Sequence, residues 1–238
     1  VRRLHPDPAD LDDAGLVEAY RLPPGRSLRV NFVTSLDGAI SVGGKSAGLG
    51  SPGDKRVFRI LRALADVVLV GHGTAAAEGY RPMAADAEVG RLRTALGRPA
   101  TAPIAVVSRR ASLSPGDRLA VPSTICVTCE SADPARRAAL VDAGVDVLVC
   151  GEDDVDLPSA VDRLADRGLG QVLCEGGPAL LRSALAAGVV DELDLTLAPA
   201  LVGGEARLLG AALPDVVRPR LVQLLEEDGN LFTRWSIG

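Results

Sequence analysis

The stretch VLCEGGPALLRSAL, residues 172–185, runs from an apolar, strand-like segment through Glu175-Gly176-Gly177-Pro178 into a helix-like segment. A plain connector needs one glycine or proline, whereas this turn carries a carboxylate, two glycines and a proline. Gly176 and Gly177 allow backbone geometries and close approaches that a Cβ forbids, and Pro178 suits a first helical turn, where its missing N–H costs nothing. A helix that starts this way offers free N–H groups and its positive end to a phosphate. The same residues also suit a tight turn with no ligand, and both readings stand at this point. Glu175 fits a mere turn less well, because a carboxylate at the end of an inner strand is rarely left unpartnered. It suits hydrogen bonding to the N–H groups of a heterocycle, or proton transfer.

Apolar runs of strand length recur at 28–34, 66–70, 103–107, 124–128, 145–149 and 171–174. Helix-like segments lie between most of them: 52–65 after Ser51-Pro52, 134–143 between Asp133-Pro134 and Gly144, 158–167 from Pro158 to Gly168, and 178–187 from Pro178 to Gly188. Caps, first-turn prolines and terminal glycines frame each of these. Short apolar strands alternating with helices predict an α/β fold with a mostly parallel central sheet and helices on both faces. The tail differs. ELDLTLAP alternates, and two strand-like segments flank a turn at Asp228-Gly229-Asn230, which predicts an antiparallel C-terminal hairpin added to the parallel sheet. Residues 80–100 are polar and Ala-rich and read as a connection. The expectation is one domain over 1–238, with 1–26 as an N-terminal extension.

Composition narrows the function. The 238 residues are 47% hydrophobic and 24% charged, as in ordinary globular proteins, with a formal charge of −5. Only 3% are aromatic and no basic block stands out, which argues against nucleic-acid binding. No apolar run reaches the roughly 18 residues of a membrane span, and VRRLHPDPADL does not read as a signal peptide, so a cytoplasmic protein is expected. Of the four cysteines, Cys126 and Cys129 have C-x2-C spacing, but no second pair completes a zinc site. Buried thiols and no metal are the expectation.

In open α/β sheets ligands bind beyond the carboxyl ends of the strands, and three more strand ends bear on function. Gly71-His72-Gly73-Thr74-Ala75-Ala76 fits G-x-G-x-x-A. The acidic residue that should follow about 20 residues later is missing. The next run ends instead in Ser108-Arg109-Arg110, arginines that suit either solvent or the 2′-phosphate of NADP. TSLDGAISVGGKSAGLGSPGDKR, residues 34–56, offers Asp37-Gly38 as a turn and a Gly-rich flap whose Lys45 and Ser46 can reach a phosphate. Gly203-Gly204 reads equally as a ligand turn or a bend. His72 stands alone at its strand end. No Ser-His-Asp arrangement, HExxH pair or Walker lysine occurs.

Three segments in order, NFVTSLDGAISVGGKS, RILRALADVVLVGHGT and LCEGGPALLRSALAAGVVDELDLTLAPALVGGEAR, resemble the pyrimidine reductase family of riboflavin biosynthesis over about residues 27–236. The resemblance implies a dihydrofolate-reductase-like fold, a homodimer and an NADPH-dependent reductase. The expected reaction reduces the ribosyl part of 5-amino-6-(5-phosphoribosylamino)uracil to the ribityl form. It implies cofactor contacts from Val33, Thr34, Ser35 and Thr74, and from the turn and helix that run from Gly176, Gly177, Pro178, Ala179 and Leu180 to Ser183; Gly71, Gly73, Ser108 and Arg109 join them as cofactor candidates from their strand-end positions. Ser46, Arg62 and Glu175 are expected to hold the substrate, with Arg62 on its phosphate, and Glu175, Asp37 or a water to relay a proton. Two positions depart from the pattern. Gly48 stands where many relatives carry a Trp beside the nicotinamide, which is expected to open space there. After Thr74, AAAEGYRPM replaces an Asp-Asp-Pro run, with Glu78 and Arg81 as substitutes for the acidic residue and the phosphate-binding Arg. These departures keep two other substrates open, the not-yet-deaminated diaminopyrimidine and a dihydropterin or dihydrofolate. A non-catalytic NADPH-binding protein is a further alternative. The deaminase signature, H-x-E with P-C-x-x-C, is absent from the sequence.

Overall fold

The apolar runs assemble into one eleven-stranded sheet in the computed structural model, which describes residues 1–204 and 206–237. In chain order the elements are β1 (Arg2–His5), β2 (Ala9–Asp10), α1 (Asp13–Tyr20), β3 (Ser27–Ser35), α2 (Pro52–Leu64), β4 (Val67–Gly71), α3 (His72–Glu78), α4 (Glu88–Ala95) and β5 (Ile104–Val107). There follow β6 (Thr124–Thr128), α5 (Pro134–Asp142), β7 (Asp146–Val149), α6 (Leu157–Ala165), β8 (Gln171–Cys174), α7 (Pro178–Ala186), β9 (Glu192–Ala198), β10 (Arg220–Glu227) and β11 (Asn230–Ser236). The strand order is β2-β1-β10-β11-β9-β3-β8-β4-β5-β6-β7. From β9 to β7 every pairing is parallel, and from β9 outward through β11, β10, β1 and β2 every pairing is antiparallel.

Side-chain alternation puts successive residues of the inner strands into different cores. Val67 and Leu69 of β4 pack with α6 and α7, whereas Val68 and Val70 pack with Ala75 of α3 and Leu140 of α5. Leu173 of β8 joins α1 and α2 in a third cluster closed by Leu225 and Phe232 of the hairpin. Both faces are therefore covered, which is why these strands read as continuous apolar runs. The four cysteines are free and buried, as the apolar runs around them predict.

Two expectations need correction. ELDLTLAP is not part of the antiparallel extension alone. As β9 it lies parallel to β3, from Arg29↔Glu192 to Ser35↔Ala198, and antiparallel only to β11. The crossover helix α7 delivers β9 in the parallel sense, and only the hairpin that follows reverses direction. The connection at 80–100 contains a helix, α4, that no side-chain cap announces. Its buried Arg93 holds it in place, donating to the carbonyls of Arg62 (2.9 Å), Ala65 (2.5 Å) and Pro99 (2.8 Å). Two of those carbonyls belong to the end of α2, where orphan acceptors need a donor. The N-terminal residues join the same sheet, since β1 pairs with β10 and α1 packs on α2.

Beneath α1, Arg29 of β3 donates to Glu192 at 2.7 Å and lies 3.1 Å from Asp194, and Arg234 holds Glu192 from the other side at 2.7 Å. Burial raises the pKa of Asp194, Arg29 pulls it back and Glu192 raises it further. An acid whose native pKa lies above its unfolded value stabilises the fold most at low pH, and this contribution is lost as pH rises between the two values. Replacing Asp194 with Asn is therefore expected to flatten the decline of unfolding free energy from pH 4 upward, measured by urea denaturation across a pH series. An unchanged slope contradicts this.

Candidate active site

A cavity of about 700 Å³ opens at the carboxyl ends of β3, β4 and β8, between α2, the start of α3 and the 39–50 flap. One wall is a stripe of α2. Asp54, Phe58 and Arg62 are spaced i, i+4 and i+8, so they share one helix face, and all three line the cavity. At 1.5 Å per residue the stripe is about 12 Å long.

At its inner end sits the pair that answers what Glu175 does. The backbone N–H of Glu175, one residue beyond β8, donates to Leu69 of β4 at 2.9 Å, and its side chain is only 2% exposed. Arg62 grips the carboxylate with two bonds of 2.7 Å, from Nε and Nη2. The Tyr80 hydroxyl donates to the same carboxylate. The Arg62 guanidinium lies 4.3 Å from the Phe58 ring centroid and 5.4 Å from that of Tyr80. Burial lowers the pKa of Arg62, but the charge and hydrogen bonds of Glu175 outweigh it and the net shift is upward. Burial and then the charge of Glu175 raise the pKa of Tyr80, so its proton stays on the hydroxyl. Tyr80 reaches this place because α3 ends in a left-handed Gly79 with φ of 71°, which turns the chain back.

Two expectations change here. Both acceptor oxygens of Glu175 are engaged by protein, and two nitrogens of Arg62 are spent on Glu175 rather than left for a phosphate. The cations lining the cavity that form no salt bridge among the described residues are Lys55 and Arg81.

The glycines of the turn are also explained by the protein itself. The backbone at Gly176 has φ of 82°, and a Cβ there would overlap the Phe32 ring; one at Gly177 would overlap the Thr74 hydroxyl. The peptide between them is cis. The Gly71 N–H donates to the Gly176 carbonyl at 2.7 Å, which ties the two strand ends together. The other side of the turn faces the cavity, lined by Gly177, Pro178, Gly73, Thr74 and, from β3, Val33. Gly177 caps α7 without a side-chain bond, so no cap side chain occupies the first N–H groups of α7 among the described residues, and a Cβ at Gly73 would meet only open space. These residues fit a bound dinucleotide. Leu180 sends its side chain into the core and Ala179 is exposed. Thr34 and Ser35 are buried away from the cavity lining.

Other positions take different jobs from those expected. Asp37 does not line the cavity. It accepts from Ser35 (2.6 Å) and from the N–H groups of Val202 (3.0 Å) and Gly203 (2.8 Å), pinning the 199–204 segment to the end of β3. Those bonds, the Ser35 hydroxyl first, hold its pKa down to about 2, which leaves an ionised clasp and no proton to give. Gly48 opens no space beside the cavity either, for a Cβ there would meet Val42 Cβ at 2.7 Å; glycine lets the flap fold on itself. Glu78 lines the cavity and accepts from the Ser46 N–H at 2.9 Å, hooking the flap. Ser108 and Arg109 lie outside the lining. The Ser108 hydroxyl accepts from Ser112 (2.8 Å), and exposed Arg109 donates to the Asp153 carbonyl (2.8 Å). His72 opens α3 and does not line the cavity.

Sequence reading passed over Asp54, Lys55, Phe58 and Tyr80. A signal was present for the last two, because the chain has only three Phe and two Tyr, and an aromatic in a polar loop beside Arg81 is conspicuous.

With fold and cavity in hand, the comparisons with known proteins converge. The family model of the RibD C-terminal domain matches residues 26–229. The chain belongs to the RibD C-terminal domain family. Within it, the chain is 34% identical over 185 residues to the 2,5-diamino-6-ribosylamino-4(3H)-pyrimidinone 5′-phosphate reductase of Methanothermobacter thermautotrophicus, covering 76% of this chain and 81% of the relative. The crystal structure of a pyrimidine reductase-like protein from Corynebacterium diphtheriae superposes with a TM-score of 0.79 at 29% identity, covering 90% of this chain and 92% of that one. Dihydrofolate reductase from Enterococcus faecalis shares the fold at a TM-score of 0.53 and 14% identity, covering 88% of this chain and 95% of that one. The expected dihydrofolate-reductase-like fold is the fold observed.

The geometry of the buried pair generates a stability prediction. Arg62→Met should cost about 3 kcal/mol by leaving Glu175 uncompensated, the low end of the buried-pair range because the Arg62 side chain is 23% exposed. Adding Glu175→Gln should recover part of the loss in urea titrations. Additive losses would show that the two side chains are not coupled.

Proposed function

We propose that the chain is an NADPH-dependent reductase of a phosphoribosylaminopyrimidine in riboflavin biosynthesis, acting on 2,5-diamino-6-ribosylamino-4(3H)-pyrimidinone 5′-phosphate. The observation that carries the reading is the pairing of two walls across one cavity: the glycine-lined turn at the start of α7 and the α2 stripe with its rim cations. Family membership supplies the reaction class. Of the two pyrimidines expected from sequence, the diamino form is favoured because the Methanothermobacter relative bears that name.

The cofactor supplies hydride to the carbon–nitrogen double bond of the ring-opened ribosylamine. The open N–H groups of α7 and the space at Gly73 hold its phosphates, and Val33 and Thr74 line its path. Phe58 offers a ring face to the pyrimidine. Arg81 holds the 5′-phosphate in place of Arg62, whose task is to fix Glu175. Of the groups expected to relay the proton to nitrogen, Glu175 lines the cavity and Asp37 does not. Enclosure between flap and loop orients the substrate and limits water. A homodimer belongs to this reading, with exposed Leu201 and Val216 as apolar surface for it to cover. So does a cytoplasmic home.

The test is NADPH oxidation by the purified chain with the diaminopyrimidinone phosphate, its deaminated uracil counterpart and dihydrofolate in parallel. Turnover on the phosphorylated pyrimidines alone is expected. Arg81→Ala should raise the substrate KM about tenfold or more with little change in kcat, the mark of lost phosphate binding. Turnover on dihydrofolate alone, or tight NADPH binding with no turnover, contradicts the reading.

A further inference from the structure

We propose that Asp54 binds the 2-amino and N3–H edge of the pyrimidine and thereby selects the diamino substrate over its deaminated counterpart; the inference rests on the function proposed above. Three carboxylates line the cavity, and two are already occupied. Glu175 is held by Arg62 and Tyr80, and Glu78 by the Ser46 N–H. Asp54 forms no salt bridge among the described residues, and its side-chain hydrogen bond comes from Thr196 of β9, itself buried. Gly50 leaves room beside it, since a Cβ there would stand 3.2 Å from Asp54 Oδ2. The placement suits a ring. Asp54 lies one helical turn before Phe58 and two before Arg62 on the same face of α2, so a pyrimidine on Phe58 presents one edge to Asp54 and its ribosyl arm toward the Arg62 and Arg81 end.

The chemistry then discriminates. A 2-amino-4(3H)-pyrimidinone carries two adjacent in-plane N–H donors, at the 2-amino group and N3, and a carboxylate accepts both. In the deaminated uracil the 2-position is a carbonyl oxygen, an acceptor facing an acceptor. Burial, the largest influence, raises the pKa of Asp54, while the Thr196 hydroxyl and Lys55 lower it. A donor pair from substrate replaces the solvation that burial removes. Sites built to hydrogen-bond a group reject analogues that lack it far more strongly than apolar pockets do.

The experiment compares wild type and Asp54→Asn with NADPH and each phosphorylated pyrimidine. Calorimetric binding of the free bases 2,5,6-triamino-4-pyrimidinone and 5,6-diaminouracil runs alongside. Wild type should favour the diamino phosphate by roughly a hundredfold in kcat/KM. In Asp54→Asn this preference should vanish or invert, because the amide offers a donor to the uracil carbonyl, while kcat/KM on the uracil holds or rises. Thr196→Val, which removes the hydroxyl that orients Asp54, should raise KM on the diamino form alone and tests the proposal if the Asn variant folds poorly. Equal activity of wild type on both pyrimidines, or an equal loss on both in Asp54→Asn, overturns it. If wild type turns over neither phosphate, the reductase reading fails, and the calorimetry still decides: a preference for the triamino base that Asp54→Asn abolishes supports the role of Asp54, and its absence overturns it.

Discussion

The bidentate Arg62–Glu175 pair is the constraint on which the site depends. It joins the last turn of α2 to the end of β8, and through Tyr80 it also fixes the loop that leaves α3. A buried ion pair contributes little net stability against a well-packed apolar alternative, but removing one partner is costly. Its value here is geometric. Glu175 cannot turn without leaving a guanidinium in a half-buried aromatic sandwich, so the cavity floor keeps its shape with or without a ligand. Arg93 reinforces the arrangement from behind by capping the end of the helix that carries Arg62.

The two glycines of the turn serve this floor from the other side. Each removes a Cβ that would overlap protein, the Phe32 ring at Gly176 and the Thr74 hydroxyl at Gly177. They bring β8, β3 and α3 close enough for one turn to be packed inward and open outward. The flap is tethered as well, by Glu78 at its tip and, through Asp37, by the 199–204 segment at its root. Thus Asp37, Glu78 and Glu175 mostly position the protein itself, and Asp54, Lys55 and Arg81 are left lining the cavity without a salt bridge among the described residues.

The parallel half of the sheet was legible in the sequence because buried strands are continuous apolar runs with capped helices between them. β3, β4, β5, β6, β7 and β8 stand within a residue or two of the predicted ranges. What stayed hidden depends on tertiary partners. α4 has no cap and is held by Arg93, the parallel sense of β9 follows from a crossover that local alternation does not encode, and the N-terminal strands exist only by pairing with β10. Within the site, Glu175 and the glycines stood out because their residue types are costly in a plain turn. Asp37 and Gly48 misled for the opposite reason, since a clasp and a ligand contact use the same residue types. Asp54 was passed over because a first-turn Asp reads as ordinary support for a helix start, and only its place in the cavity beside Thr196 gives it another meaning.

The most direct measurement is a crystal structure of the chain with NADP⁺ and the reduced diaminopyrimidine phosphate. The pyrimidine ring is expected on Phe58, the ribityl chain beside the Gly176-Gly177 turn, and the phosphate at Arg81, with the Arg62–Glu175 pair intact. A product bound outside this cavity, or a phosphate that pulls Arg62 away from Glu175, would contradict it.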